Sequence, residues 1–129
     1  MTWAVSVVIY NNTKYSIDIV NNDAGLLSEV SPGGQYGWTT SDPNNTNSLR
    51  FFDPTVSPKT YYMQGGVSFG PEAGVYMDRG WMAPNDQSIA LNAKANDTTY
   101  NQTQNGGATV LPWNDFEQGG SISMTFNPV

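Results

Sequence analysis

Turn-forming residues interrupt this chain about every ten residues, and the segments between them are short. The interruptions are rich in Gly, Pro, Asn, Asp and Ser: "SPGG", "SDPNNTN", "DPTVSP", "QGG", "APND", "QTQNGG" and "EQGG". Short strands between evenly spaced turns are typical of a β-sandwich or barrel. No stretch shows convincing helical periodicity; the nearest, "PEAGVYM", contains Gly and Val, which argue against a helix. The sequence therefore predicts an all-β, single-domain antiparallel β-sandwich over residues 1–129, with little or no helix.

Alternation of apolar and polar residues places the predicted strands. The segment "TWAVSVVIY" puts one set of apolar side chains on one face, and a second set follows the turn "NNTK": Trp3, Val5, Val7 and Ile9, then Tyr15, Ile17 and Ile19. Two alternating segments around a short turn predict an antiparallel hairpin. Further strands are predicted at Gln35 to Thr40, Ser48 to Asp53, Lys59 to Met63, Gly74 to Asp78, Gln87 to Ala93, Ala108 to Leu111 and Ser121 to Phe126.

Two segments near the C-terminal end carry more specific expectations. In the last predicted strand, strict alternation predicts that Ile122, Met124 and Phe126 face the core. The polar segment 92–107 is predicted to be either a long excursion or an edge strand with a mobile loop.

Charge and composition exclude several classes of function. The chain has neither Cys nor His, so disulfides and Cys–His or Ser–His–Asp mechanisms are excluded. The net charge is −6, and the five cations are scattered: Lys14, Arg50, Lys59, Arg79 and Lys94. Nucleic acid and strongly anionic membranes require a basic surface, so neither is expected as a partner. Sugars, uncharged or zwitterionic lipid headgroups and other proteins remain as partners.

The first ten residues, "MTWAVSVVIY", lack a basic region and a small-residue cleavage site, and no apolar run reaches the ~18 residues of a membrane span. The sequence therefore predicts no signal peptide, and a protein that is cytoplasmic or released without a classical signal.

Polar motifs that could form a metal, glycan-attachment or catalytic site are better explained as turns. A calcium-loop spacing is matched by four residues: Asp42, Asn44, Thr46 and Asp53. The loop also requires a Gly where this chain has Asn47, and flanking helices where strands are predicted. The sequons at Asn11, Asn44, Asn96 and Asn101 are expected to be turn and loop residues. Two carboxylate pairs could serve glycoside hydrolysis: Asp115 with Glu117, and Asp78 with Asp86. A glycosidase generally needs a deep cleft, however, and a small sandwich offers little surface from which to build one. No catalytic residue, metal or cofactor is predicted.

Aromatic residues beside turns are the most informative candidates for a binding site. Trp38, Trp81 and Trp113 lie beside Gly or Pro in "YGWTT", "DRGWMAPND" and "LPWNDF". Tyr61 and Tyr62 are consecutive, so at least one must leave the core side of its strand. Trp and Tyr at such edges suit membrane interfaces, sugar stacking and cation–π contacts. The alternative is that they cap the ends of the sandwich.

The order of these motifs resembles the aegerolysins, a family of small, acidic β-sandwich proteins. The likeness covers about the first 54 and the last 20 residues: "TWAVSVVIYNNTKYSIDIVNN", "SPGGQYGWTTSDPNNTNSLRFFDP" and "WNDFEQGGSISMTF" are similar to the family in order and spacing. The middle departs from it, because the family's His-Trp-Asp-Cys-Pro-Trp-like segment is replaced by "YYMQGGVSFGPEAGVYMDRGWMAPND". Actinoporin-like and lectin sandwiches can share such patterns.

The resemblance implies a non-enzymatic protein that recognises membrane lipids and acts at target-cell membranes. Aegerolysins bind assemblies such as sphingomyelin with cholesterol or ceramide phosphoethanolamine, and many recruit a perforin-like partner that forms the pore. The residues expected to contact lipid are the aromatics with one cation: Trp38, Tyr61 or Tyr62, Arg79 as a phosphate partner, Trp81 and Trp113. Trp3 matches the family's N-terminal Trp, but its alternation with Val5 fits the core equally well.

The rival interpretation is a lectin-like module, in which the same aromatics stack on sugar rings while Asn and Asp side chains bind hydroxyl groups. A small hydrolase is a third class, which would need a cleft lined by paired carboxylates.

Overall fold

The computed structural model describes residues 4–40, 46–70, 74–78, 89–102, 109–111, 116 and 119–128. The described residues form eleven strands: β1 (Val5–Asn11), β2 (Ser16–Asn21), β3 (Gly25–Val30), β4 (Gln35–Thr40), β5 (Thr46–Phe52), β6 (Tyr61–Gly70), β7 (Gly74–Asp78), β8 (Ile89–Ala95), β9 (Thr98–Gln102), β10 (Thr109–Leu111) and β11 (Gly120–Pro128). Sheet A has the order β4-β1-β11-β8-β9, and sheet B has the order β10-β7-β6-β5-β2-β3. The predicted all-β sandwich is confirmed.

The core lies between the inner faces of the two sheets, where strands such as β1, β8 and β11 bury alternate residues. In β11 the buried residues are Ile122, Met124 and Phe126, as predicted from the alternation. The Phe126 ring meets the Phe51 ring edge-on with centroids 4.9 Å apart, which joins sheet A to sheet B. Burial of one such side chain stabilises a fold by about 1.5–3 kcal/mol, so these alternating positions supply most of the cohesion.

Sheet A differs from the predicted antiparallel arrangement at its centre. There β1 pairs with β11 in parallel, with Val5 opposite Gly120 and Asn11 opposite Phe126. The close approach at the start of β11 requires glycine: Gly119 has φ +88°, and a Cβ there would lie 2.6 Å from the Ala4 carbonyl oxygen. The first and last strands of the described chain therefore lie side by side in the middle of one sheet.

The predicted hairpin between the first two strands is wrong, because β1 belongs to sheet A and β2 to sheet B. The predicted core-facing residues of these two strands are confirmed. Val5, Val7 and Ile9 face the core from one sheet, and Ile17 and Ile19 face it from the other. A buried face shows that a strand borders the core, but it does not show which sheet contains the strand.

The chain crosses from sheet A to sheet B between the end of β1 and the start of β2. The side chain of Asn11, which is fully buried, holds this crossing. Its Nδ2 atom donates to the carbonyl oxygens of Tyr15 at 2.7 Å and Val30 at 3.1 Å. Its Oδ1 atom accepts hydrogen bonds from the backbone N of Thr13 at 3.1 Å and from the Thr13 hydroxyl at 2.7 Å. Asn11 is therefore a structural residue at the end of β1. The expectation that the sequon residues lie in turns and loops is confirmed for Asn96 but wrong for Asn11 and Asn101, which are strand residues.

Other strand predictions succeeded to different degrees. β4 and β7 have the predicted bounds, whereas β6 continues beyond the predicted end at Met63 to Gly70. β9 lies at the edge of sheet A, which confirms the edge strand predicted as one alternative for the segment 92–107; the loop predicted with it falls on 103–107, outside the described residues. β3 was not predicted.

Candidate functional site

The two consecutive tyrosines at the start of β6 point to opposite sides of sheet B. Tyr62 packs against the core, where its ring lies 6.0 Å from that of Tyr15. Tyr61 lies on the outer face, with 45% of its surface exposed. The prediction that one of the pair leaves the core side is confirmed, and Tyr61 is that residue.

Tyr61 belongs to a group of five side chains on the outer face of sheet B, here called the Tyr61 cluster: Asp18, Arg50, Phe52, Lys59 and Tyr61. Strand register assembles it, because β5 places Arg50 opposite Asp18 of β2 and Phe52 opposite Tyr61 of β6. The Phe52 and Tyr61 rings meet edge-on at 6.0 Å. The guanidinium carbon of Arg50 lies 5.8 Å from the centroid of the Tyr61 ring, within the range of a cation–π contact.

Asp18 anchors the Tyr61 cluster from below, with only 2% of its surface exposed. Its Oδ2 atom accepts a hydrogen bond from the Tyr61 hydroxyl at 2.7 Å and another from Lys59 Nζ at 2.9 Å. Its Oδ1 atom is buried and has no hydrogen-bond partner among the described residues. The Tyr61 ring is therefore both exposed to solvent and fixed at its hydroxyl end.

The segment 53–60 returns Lys59 to this surface. Its first turn is held by Asp53, whose Oδ1 atom accepts hydrogen bonds from the Thr55 hydroxyl at 2.7 Å and the Thr55 backbone N at 2.9 Å. These bonds lower the pKa of Asp53. Lys59 then lies with Nζ 4.3 Å from the centroid of the Phe52 ring, while Val56 of the same segment is 41% exposed. Two cations and an exposed aromatic ring thus lie on one surface.

Hydrogen bonding to Asp18 fixes the protonation of two of these groups. It raises the pKa of Lys59 above its ordinary 10.5, and it raises the pKa of Tyr61 above its ordinary 10.0. At neutral pH the lysine is therefore a cation and the tyrosine a neutral hydrogen-bond donor. Arg50 makes no hydrogen bond or ion pair with the described residues. Within this part of the chain its guanidinium donors are therefore not engaged, and its contact is with the Tyr61 ring.

Trp38 lies apart from the Tyr61 cluster. It is on β4, at the edge of sheet A, opposite the core residue Val7. Its half-buried ring packs against the core and stacks on Tyr36, with centroids 5.9 Å apart. Its Nε1 atom is buried and has no partner in the described part of the chain. Trp38 thus packs on the core side of sheet A, and the structure does not bring it together with Tyr61 on sheet B.

The remaining residues expected to contact lipid, Trp3, Arg79, Trp81 and Trp113, lie outside the described residues. The same holds for Asp42, Asn44, Asp86, Asp115 and Glu117 from the other motifs. Sequence reasoning missed Asp18, Arg50, Phe52 and Lys59 as site residues. Asp18 is separated from Lys59 by 41 positions and from Tyr61 by 43, so no local spacing connects them.

Among the described residues, no group of three or more acidic side chains is arranged to hold a metal ion. The described residues also contain no helix long and apolar enough to cross a membrane. No family model matches the chain, and no curated protein matches its sequence.

Proposed function

We propose that this protein is a non-enzymatic protein that recognises membrane lipids, with the Tyr61 cluster as a headgroup-contacting surface. The type of protein is the one implied by the resemblance to aegerolysins: a targeting component that binds a neutral or zwitterionic membrane and recruits a perforin-like partner. It acts at target-cell membranes.

The observation that carries the proposal is the exposed, pre-oriented ring of Tyr61. An amphipathic aromatic side chain suits the boundary between lipid headgroups and acyl chains. Because Asp18 and Phe52 already restrict the Tyr61 ring, binding costs less side-chain entropy than it would for a free surface tyrosine.

The charges on this surface support a phosphate-containing but electrically neutral headgroup. Arg50 presents guanidinium donors beside Tyr61, and guanidinium groups bind phosphate oxygens in pairs. The protein as a whole carries a net charge of −6, which opposes binding to an anionic membrane. A zwitterionic headgroup satisfies both conditions, because Arg50 can contact its phosphate without a membrane of net negative charge.

Sedimentation with liposomes tests the proposal. Wild-type protein should sediment with at least one zwitterionic composition from a panel that includes phosphatidylcholine and sphingomyelin with cholesterol, and should bind phosphatidylserine vesicles less. Tyr61→Ala should weaken this binding about tenfold, from the loss of interfacial aromatic contact. Tyr10→Ala is the matched control, since Tyr10 is 37% exposed on the outer face of the opposite sheet. Failure to bind any zwitterionic composition, or equal loss in both variants, would refute the proposal.

A further inference from the structure

The outer face of sheet A carries a groove of about 600 Å³ that is separate from the Tyr61 cluster. It crosses four neighbouring strands, β4, β1, β11 and β8, and ends at the turn between β8 and β9. At a strand spacing of about 4.8 Å, the groove is about 14 Å from the first strand to the fourth. This length suits an extended ligand better than a single small molecule.

Two cross-strand rows of small side chains form the floor of the groove. One row contains Thr39, Ser6 and Ser121, and its first two hydroxyl oxygens lie 3.3 Å apart. The next row runs from Gly37 through Val8 and Ser123 to Lys94. Hydroxyl groups both donate and accept hydrogen bonds, and they rotate to suit the ligand. The floor therefore offers many adaptable polar contacts and very little charge.

A chain of asparagine amides continues this polar face beside the groove. Asn12 donates to Asn127 at 2.8 Å, Asn127 to Asn92 at 2.9 Å, and Asn92 to Asn101 at 3.1 Å. All three bonds run in the same direction across sheet A, so each amide is fixed by its neighbour. Linked hydrogen bonds of this kind hold polar groups in place before a ligand arrives.

Tyr10 gives the same face an aromatic border. It lies two residues beyond Val8 on β1, between Gln35 and Thr125 in the strand register, and is 37% exposed. Among the described outward-facing residues of sheet A, Lys94 is the one cation, and Asp97 in the adjoining turn carries a carboxylate. Opposite single charges at one end leave the face nearly neutral overall.

From these observations we infer that the outer face of sheet A binds a neutral oligosaccharide chain. Sugar hydroxyls match the Ser, Thr and Asn side chains in hydrogen-bonding capacity, and the apolar face of a sugar ring stacks on an aromatic such as Tyr10. A nearly neutral surface gains little from an ionic ligand, which favours an uncharged glycan over an acidic one. The ligand class coincides with the lectin-like interpretation of the sequence, but the residues are different ones. The inference does not depend on the proposed lipid site, which lies on the other sheet.

Affinity gel electrophoresis with soluble neutral polysaccharides, such as β-glucan, galactomannan and xyloglucan, tests the inference. At least one should retard the wild-type protein. Gly37→Val should abolish the retardation, because the new side chain fills the groove. The fold should tolerate this change, since a Cβ at Gly37 meets its nearest atom, the Val7 carbonyl oxygen, at 3.4 Å. Tyr10→Ala should weaken binding about tenfold.

Tyr61→Ala should bind the polysaccharide like the wild type, which separates this site from the lipid surface. Unfolding curves for each variant exclude a loss of fold as the cause of weaker binding. The inference is overturned if no neutral polysaccharide retards the protein, if Gly37→Val and Tyr10→Ala bind like the wild type, or if only acidic glycans bind and Lys94→Gln removes that binding.

Discussion

Lys59 and Asp18 lie 41 residues apart in the chain, yet Nζ of the lysine is 2.9 Å from Oδ2 of the aspartate. The same carboxylate oxygen accepts the hydrogen bond from Tyr61, so one buried atom positions both a cation and an aromatic ring at the surface. The geometry of the Tyr61 cluster therefore depends on a residue that solvent barely reaches.

The first prediction concerns alkaline pH. Tyr61 and Lys59 hold their protons more tightly in the folded state, because Asp18 raises the pKa of each. Their contribution to stability is therefore complete below the ordinary values of 10.0 and 10.5, and it is lost as pH rises through the higher folded values. The urea midpoint should fall above about pH 10, and less steeply in Tyr61→Phe.

Tyrosinate absorbance isolates the residue responsible for this effect. The difference between titrations of the wild type and Tyr61→Phe should show a group that ionises above pH 10.0. Asp18→Asn should return that group towards its ordinary pKa. A Tyr61 that ionises at the ordinary value in the wild type would contradict the hydrogen bond to Asp18.

The second prediction concerns Asn11, the buried residue at the crossing between the sheets. Asn11→Ala should lower the free energy of unfolding by about 3 kcal/mol, because it leaves buried backbone carbonyls without a donor. Urea denaturation measures the loss. Asn12→Ala is the control: the adjacent side chain is exposed and bonds to Asn127 at the surface, so its loss should cost under about 0.5 kcal/mol. Equal effects in the two variants would show that Asn11 does not hold the crossing.

The third prediction separates backbone strain from steric contact at two glycines. Gly119 and Gly25 both have positive φ, at +88° and +77°. A Cβ at Gly119 would lie 2.6 Å from the Ala4 carbonyl oxygen, whereas a Cβ at Gly25 would have no atom within 4 Å. Gly25→Ala should therefore cost about 1 kcal/mol from the left-handed conformation alone, and Gly119→Ala at least about 2 kcal/mol more. Equal costs by thermal or urea unfolding would remove the steric explanation.

The fourth prediction concerns the cation beside Tyr61. Arg50→Gln should weaken binding to zwitterionic liposomes about fivefold, because the guanidinium donors to phosphate are lost. Lys94→Gln changes the net charge by the same amount on the opposite sheet, so it should leave liposome binding unchanged. If the two variants weaken binding equally, total charge explains the effect and Arg50 has no particular role.

Sequence patterns predicted the position of strands better than their partners. The bounds of β4 and β7 followed from alternation between clear turns, but the pairing of β1 with β11 joins residues more than a hundred positions apart. β3 escaped prediction because most of "GLLSEV" is exposed or half-buried, and Leu27 is inserted where its pairing with β2 shifts register. Local periodicity carries no signal for either feature.

The candidate site was predictable only where adjacent residues decide the outcome. Two consecutive tyrosines on a strand must point to opposite faces, so one exposed tyrosine followed from the sequence. The role of Asp18 did not, because an aspartate between Ile17 and Ile19 has the same pattern as an ordinary solvent-facing residue. Asp18 is nonetheless buried and bonded to Lys59 and Tyr61, which is a consequence of tertiary structure.

The central parallel pair in sheet A also constrains how the molecule can be made. Five of the six strands of sheet B come from residues 16–78, whereas sheet A keeps a gap between β1 and β8 until residues 120–128 are synthesised. During translation β1 can pair with β4 once residues 35–40 are made, but its other edge has no partner until β11 is synthesised. We expect this open edge of β1 to depend on chaperones or on temporary strand pairing until β11 is in place.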